Sequence, residues 1–374
     1  LMRVSNILCE YLNDPIGIGI LHPRITWDLE DVKVQKEFEI KYSINGGEYV
    51  SKTVSSSSMH YVFKDEFAPR DLISYFIRIK DQDDNWSDYS PEHKFEFGLL
   101  GEPFKAKWIS GNYHARKGVR YPVDCFIKQI KLQKVKKARL YITACGVYEA
   151  RINGNRVGDY ILAPGSTDYS INYQTFDVTS LLKEGVNEIE VLLGDGWYRG
   201  SIGAKGFTCV FGKETKLLAQ LEITDEDGQI STILTDSSWK WANNGPIQFA
   251  DLKDGEVVDN RNTTIYMDHA KEVKFNPNLT VSNNESVIES GRYKPTKMWK
   301  TPSGKMILEF PNNIAGYISF IINAHDGQTI SLRMGEKIRD GELTLDNIQC
   351  KRKDKLTPLQ AVHFTCKEGE NIYI

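Results

Sequence analysis

Along most of the chain, apolar and polar residues alternate with a period of two, the pattern of strands that bury one face and wet the other. Phe38-Glu39-Ile40-Lys41-Tyr42-Ser43-Ile44 runs into Asn45-Gly46-Gly47 and is followed by Tyr49 and Val50. That order predicts a strand, a tight turn and a returning strand, because Asn-Gly tolerates the positive φ angles of a hairpin turn. The same grammar recurs in Ile189-Val191-Leu193 before Gly194-Asp195-Gly196, in Leu221-Ile223 before Asp227-Gly228, and in Ile318-Phe320-Ile322 before Asp326-Gly327, after which Ile330-Leu332-Met334 continues the alternation. Helical periodicity is almost absent. Its best case, Asp177 to Leu182, predicts a turn or two with Asp177 or Thr179 as N-cap and Gly185 as the stop. The expected fold class is all-β, built as tandem β-sandwiches.

Breaks in the pattern divide the chain into three units. Residues 1–98 hold Pro23-Arg24-Ile25-Thr26-Trp27, the hairpin above, the strand Tyr75 to Asp81, and Asn85-Trp86-Ser87-Asp88-Tyr89-Ser90 near the end. An early core Trp, an alternating strand with Tyr and Arg, and a late Trp-Ser-x-aromatic-Ser stretch resemble a fibronectin type III sandwich. Trp27 and Trp86 are accordingly expected as core or stacked aromatics. A short Gly/Pro-bearing junction leads to a second unit over residues 104–285, expected as a jelly-roll-like sandwich. Its polar tail, Asn276 to Glu289, links to a third unit over residues 290–374 that stops inside an alternating run, as an incomplete sandwich cut from a longer protein would. A sandwich without its last strands exposes an open edge, so pairing with a second copy is expected.

Composition narrows the function classes. A chain of 374 residues with 40% apolar residues can bury several cores, while 47 basic against 50 acidic residues leave a net charge of −3. That balance supplies no long-range field for nucleic acid or an anionic membrane, so neither is an expected partner. The six cysteines, at 9, 125, 145, 209, 350 and 366, lack paired CxxC spacing and are expected as buried free thiols. The N-terminus lacks the apolar core of a signal peptide and no 18-residue apolar run occurs, which gives the expectation of a cytoplasmic protein with Leu1 a vector remnant before a native Met2.

The most distinctive text lies in the second unit. Gly146-Val147-Tyr148-Glu149-Ala150-Arg151-Ile152-Asn153-Gly154-Asn155-Arg156-Val157-Gly158-Asp159 is followed by Leu162-Ala163-Pro164-Gly165-Ser166-Thr167-Asp168-Tyr169, Tyr173-Gln174-Thr175-Phe176-Asp177-Val178-Thr179 and Leu192-Leu193-Gly194-Asp195-Gly196-Trp197-Tyr198-Arg199-Gly200. Later come Asp251-Leu252-Lys253-Asp254-Gly255-Glu256 and Phe310 to Tyr317. In this order, the blocks resemble the N-terminal β-domains of bacterial α-L-rhamnosidases, over nearly the whole chain. The resemblance implies an inverting glycoside hydrolase that releases terminal α-L-rhamnose, with its carboxylates in an (α/α)6 barrel. No helical stretch of that kind and no matching acidic motif occurs before Ile374, so this chain is expected to be non-catalytic, with no catalytic residue of its own. Glu336 and the acids of the 254–259 segment (Asp254, Glu256 and Asp259) can be imagined as a pair, but acids on β loops are usually only solvated.

Physics gives the same blocks two readings. Aromatic faces cover the C–H side of a pyranose while carboxylates and guanidinium groups meet its hydroxyls, which makes Asp195, Trp197, Tyr198, Arg199, Asp254 and Glu256 the carbohydrate-binding candidates, for rhamnose-containing glycosides or polysaccharides. The plainer reading has Trp197 and Tyr198 plugging the sandwich end and Asp195 capping its own turn. The resemblance also implies rhamnose binding assisted by calcium, with Asp168, Asn172, Asp195, Asp254 and Glu256 as oxygen donors. The stretch between Tyr169 and Tyr173 is shorter than the family's usual loop and lacks an Asp-Asn pair, which argues against a retained metal and for no cofactor. A stand-alone carbohydrate-binding or scaffold protein is the alternative function.

Overall fold

The structure, a computed structural model, describes every residue except Asp168, Asn283 and Asp354. It is β throughout: the helical pieces among the described residues are one α-turn, Gly196–Arg199, and one 3-10 turn, Thr179–Leu181. The all-β tandem-sandwich expectation is met. Asp177 does not cap a longer helix. Its Oδ1 accepts from the Thr179 backbone N–H at 3.0 Å and from the Thr179 hydroxyl at 2.7 Å, and Gly185 (φ +93°) opens the next strand instead of closing a helix. No helix among the described residues is long and apolar enough to cross a membrane.

The first sandwich lays a three-stranded sheet (Arg3–Cys9, Arg24–Glu30, His60–Val62) on a four-stranded one (Val50–Ser55, Gln35–Ile44, Leu72–Asp81, His93–Glu96). Asn45 (φ +52°) and Gly46 (φ +71°) turn the predicted hairpin. Period-two alternation sends Phe38, Ile40 and Tyr42 inward beside Ile73, Tyr75, Ile77 and Ile79, each stabilising the fold by roughly 1.5–3 kcal/mol. Trp27 lies in this core, edge-on to Phe38, and its indole N–H donates to Gln35 Oε1 at 2.9 Å. Trp86 stacks outside, under the cations of Arg78 and Lys80.

The second sandwich packs the sheet carrying Lys216–Asp225, Val135–Cys145 and Ile171–Asp177 against the one carrying Val147–Ile152, Gly185–Gly194, Asp124–Leu132 and Lys240–Ala242. Ile142, Ile152, Val191, Leu193 and Leu217 fill the space between. Two ionic seams join it to the first sandwich: Arg70 grips Glu222 through two bonds of 2.5 and 2.8 Å, and buried Glu96 accepts from Lys137 and Arg139.

The last 80 or so residues hold several two-stranded pairs around a small core of Val258, Ala324, Phe364 and Cys366. Here pairing departs from the simple hairpin reading. Phe320–Ala324 and Thr329–Arg333 flank the Asp326-Gly327 turn but do not pair with each other; the first takes Gly369–Tyr373 and the second takes Ala361–Thr365. Ala361–Thr365 also runs parallel to Gly255–Asp259, so one sheet crosses from the second unit into the third.

All six cysteines are free; Cys9, Cys125, Cys145 and Cys366 are buried as expected, while Cys209 is partly covered and Cys350 is exposed. Burial pushes the Cys125 and Cys145 thiols up to about 12, which removes thiolate at neutral pH. A thiol reagent added to native protein at pH 7.5 should therefore modify Cys350 first and Cys209 more slowly. The other four should react only after denaturation, and mass spectrometry of the labelled peptides checks the order.

Candidate functional site

The buried strand Gly185–Gly194 ends where the chain turns sharply into Gly196–Arg199. Asp195 and Arg199, four residues apart, meet on one side of that turn: Arg199 Nε donates to Asp195 Oδ1 at 2.7 Å. Asp195 does not cap the turn with its side chain. Arg199 Nη1 donates to the Tyr113 hydroxyl at 2.6 Å, and that hydroxyl donates to Asp124 Oδ2 at 3.1 Å. Asp124 also accepts from Thr215 Oγ1 at 2.5 Å and from the Trp241 indole at 3.0 Å, with Arg199 Nη2 3.7 Å from its Oδ2. Among the described residues Nη2 itself has no hydrogen-bond partner. Only 3% of Arg199 is exposed, so a cation and two carboxylates share a site closed to water.

Burial governs the charges of this cluster. It pushes the Asp195 carboxyl up to about 6, against the pull of Arg199, and it raises Asp124 as well. Arg199 moves upward, because its two carboxylate neighbours outweigh its own burial. The three groups therefore hold one another in place.

The two aromatics of the block part ways. Tyr198 is buried with Trp108, Cys145, Ile171 and Leu218, and its hydroxyl accepts from Lys216 Nζ at 3.2 Å. Trp197 is half-buried, and no described residue takes its indole N–H in a hydrogen bond.

Asp254 sits in the turn between Ile247–Asp251 and Gly255–Asp259, with its side chain fully enclosed. Its Oδ2 accepts from Arg120 at 2.6 Å and Ser201 Oγ at 3.1 Å and lies 3.5 Å from Lys355 Nζ; its Oδ1 accepts from Thr357 Oγ1 at 3.1 Å and the Leu359 N–H at 3.3 Å. Burial alone raises this carboxyl, but Arg120 and Lys355 outweigh it and hold the group below the usual carboxylate range. Ser201 joins the two motifs, because its N–H also donates to Asp251 Oδ2 at 2.7 Å. Glu256 stands apart and accepts from the Tyr373 hydroxyl, its own carboxyl raised by burial.

Of the sugar-binding candidates, then, the fold brings Asp195 and Arg199 into direct contact and hangs Asp254 beside them through Ser201, while Tyr198 and Glu256 face other neighbours. Glu336 lies outside this cluster, on the surface beside Asn347. Residues outside the quoted motifs complete the network, Asp124, Tyr113, Arg120 and Ser201, together with Asp251, which opens its motif but was not among the binding candidates. Asp124 carried a signal, an acid set in the apolar run Val123-Asp124-Cys125-Phe126-Ile127. The others are ordinary polar residues until the fold gathers them. A cavity of about 410 Å³ lies elsewhere, among Arg333, Leu343, Leu345, Asp346, Lys351 and Leu356.

Each calcium-donor candidate among the described residues has a protein partner. Asp168 lies outside the described residues; Asn172 Oδ1 accepts from Thr280 Oγ1 at 2.6 Å, Asp195 is bound to Arg199, Asp254 to two cations, and Glu256 to Tyr373. Among the described residues no three His, Cys, Asp or Glu gather as a metal site.

Comparison with known proteins assigns the frame. Profiles for the Rha78A-like N-terminal immunoglobulin domain, the α-L-rhamnosidase N-terminal domain and the bacterial α-L-rhamnosidase concanavalin-like domain match residues 4–101, 133–300 and 299–370 in turn. The chain belongs to the α-L-rhamnosidase family. An α-L-rhamnosidase of Formosa agariphila is 29% identical over 91% of this chain and 40% of its own length, and one of Streptomyces avermitilis is 34% identical over 58% of this chain and 22% of its own. Among solved structures, the native α-L-rhamnosidase of Aspergillus terreus superposes on 100% of this chain and 45% of its own with a TM-score of 0.91 at 28% identity. The Dictyoglumus thermophilum enzyme gives 0.84 at 27%, over 99% of this chain and 45% of its own. The Streptomyces avermitilis enzyme, solved with L-rhamnose, shares the fold at 20% identity, with a TM-score of 0.84 over 100% of this chain and 54% of its own. The chain thus spans about 40% of the length of the Formosa relative it matches.

Proposed function

We propose that this chain is the non-catalytic β frame of an α-L-rhamnosidase, serving an enzyme that removes terminal α-L-rhamnose from glycosides or polysaccharides. The observation that carries this reading is the occupation of the enclosed acids in and beside the quoted motifs. Asp124, Asp195 and Asp254 are enclosed and each is held by an arginine, so none is free to protonate a leaving group or activate water. Their work is to fasten loops and to tie the second unit to the third. The three-on-four order of the first sandwich favours a fibronectin type III-like module. The near-neutral charge favours sugar over nucleic acid or membrane as partner, and the six free thiols favour the cytoplasm as its place.

The test is turnover. The purified chain should hydrolyse an aryl α-L-rhamnoside no faster than the buffer blank at any protein concentration, since rate enhancement is lost where the acid and base are not provided. Hydrolysis that disappeared on Glu256→Gln or Glu336→Gln would overturn the reading. Weak rhamnose binding is a second role, favoured by the half-buried Trp197 with its unclaimed indole N–H. A one-aromatic loop site gives about millimolar affinity, near −4 kcal/mol. Trp197→Ala should abolish that binding in a calorimetric titration while leaving the melting temperature nearly unchanged.

A further inference from the structure

The outer face of the four-stranded sheet in the first sandwich, where Trp86 stacks, has no part in the site or in the function proposed above. The positions that alternate with the core residues of Gln35–Ile44 and Leu72–Asp81 place Glu37, Glu39 and Lys41 beside Phe76, Arg78 and Lys80 on that face. The segment after Leu72–Asp81 is hung along it: Ser87 and Ser90 donate their N–H groups to the carbonyls of Ile79 and Ile77 at 2.8 Å, and their hydroxyls accept the N–H groups of the same two residues at 3.0 Å. This brings Trp86 and Tyr89 over the sheet.

The result is a row of rings and cations. The Arg78 guanidinium lies 4.7 Å from the Trp86 ring and 4.6 Å from the Tyr89 ring; Phe76 stands 6.4 Å from Tyr89 and 5.9 Å from Tyr49; and the Lys41 ammonium lies 5.2 and 5.8 Å from Tyr49 and Tyr89. A row of this kind braces a sheet, since each contact contributes about 0.5–1 kcal/mol at an exposed site. Three features exceed what a brace needs. Tyr49 and Tyr89 are 46% and 37% exposed, although both are large rings on a folded sheet. Arg78 is neutralised by Glu39, whereas Lys41 enters no ion pair among the described residues and is held by ring faces alone. The edge strand Val50–Ser55 sets Ser51, Thr53 and Ser55 opposite Lys41, Glu39 and Glu37, so a line of exposed hydroxyls flanks the row.

We propose that this face is a glycan-contact surface for an extended acidic polysaccharide, separate from the loop of Trp197. The open rings of Tyr49 and Tyr89 cover the C–H faces of successive sugar units, Ser51, Thr53 and Ser55 exchange hydrogen bonds with sugar hydroxyls, and Lys41 meets a uronic-acid carboxylate. It rests on the reading above only for the class of substrate. Lying on the first sandwich, whereas the Trp197 loop belongs to the second, such a surface raises the local concentration of polymer around the enzyme.

Affinity electrophoresis of the full chain tests it, with soluble rhamnogalacturonan, polygalacturonate or dextran cast in the gel. Both acidic polymers should retard the chain and dextran should not. Tyr49→Ala combined with Tyr89→Ala should weaken retardation about fivefold or more, and Lys41→Ala, which leaves the core untouched, about threefold. Trp197→Ala should leave it unchanged. Absence of retardation, equal retardation by dextran, or wild-type binding by the Lys41 and tyrosine variants would overturn the proposal. Loss of binding on Trp197→Ala alone would also overturn it and assign the polymer to the second sandwich, leaving the family reading intact.

Discussion

Arg199→Met is expected to destabilise the second sandwich by about 3–5 kcal/mol, the cost of stranding buried carboxylates without their cation. Methionine matches much of the arginine's length and apolar volume, so a cavity does not explain the loss. What remains is Asp195 and Asp124, both enclosed and both already pushed upward by burial. Stripped of Arg199 they bind protons instead, so the variant should regain stability as pH falls. The sign follows from the folded-state value of Asp195, raised to about 6 even with Arg199 pulling it down and raised further without it: stability from that group is fully present below its unfolded value, near 4, and is lost as pH rises through the folded one. Calorimetric melting at pH 5 and pH 8 reads this directly. Asp195→Asn placed on top of Arg199→Met should recover part of the loss, and a double variant no better than the single one would show that the cation does not serve these carboxylates.

Gly255→Ala should loosen the third unit while sparing the second. Gly255 has φ +98°, and a Cβ there would stand 1.9 Å from the Ala361 carbonyl oxygen. Either the turn or the parallel pairing of Gly255–Asp259 with Ala361–Thr365 must give way, at a cost of about 3 kcal/mol or more. Hydrogen exchange should speed up in Thr329–Arg333, Ala361–Thr365 and Gly369–Tyr373, with Val135–Cys145 still protected. Acid should loosen the same boundary in wild-type protein. The Asp254 carboxyl is held below its ordinary range, so its contribution is present above roughly pH 4 and lost as pH falls through the lower folded value. Asp254→Asn should remove that acid sensitivity. Equal exchange across all strands in Gly255→Ala would count against the shared sheet as the joint.

By itself the sequence determined which residues face inward and where many turns fall. Period-two alternation placed Phe38, Ile40 and Tyr42 in a core, and Asn45-Gly46 and Asn153-Gly154 turned where positive φ was needed, because these are local properties of a few consecutive residues. Family motifs were legible for the same reason, as short ordered blocks. Partners were another matter. Alternation fixes the face of a strand but not its neighbour, since every backbone offers the same donors and acceptors; thus Phe320–Ala324 and Thr329–Arg333, adjacent in the chain, pair elsewhere. The meaning of the acidic motifs was likewise decided in three dimensions. Whether Asp195, Arg199 and Asp254 meet a sugar or one another depends on Asp124, Arg120 and Lys355, brought in from scores of residues away, and on the burial that makes an unpaired charge too costly to leave open.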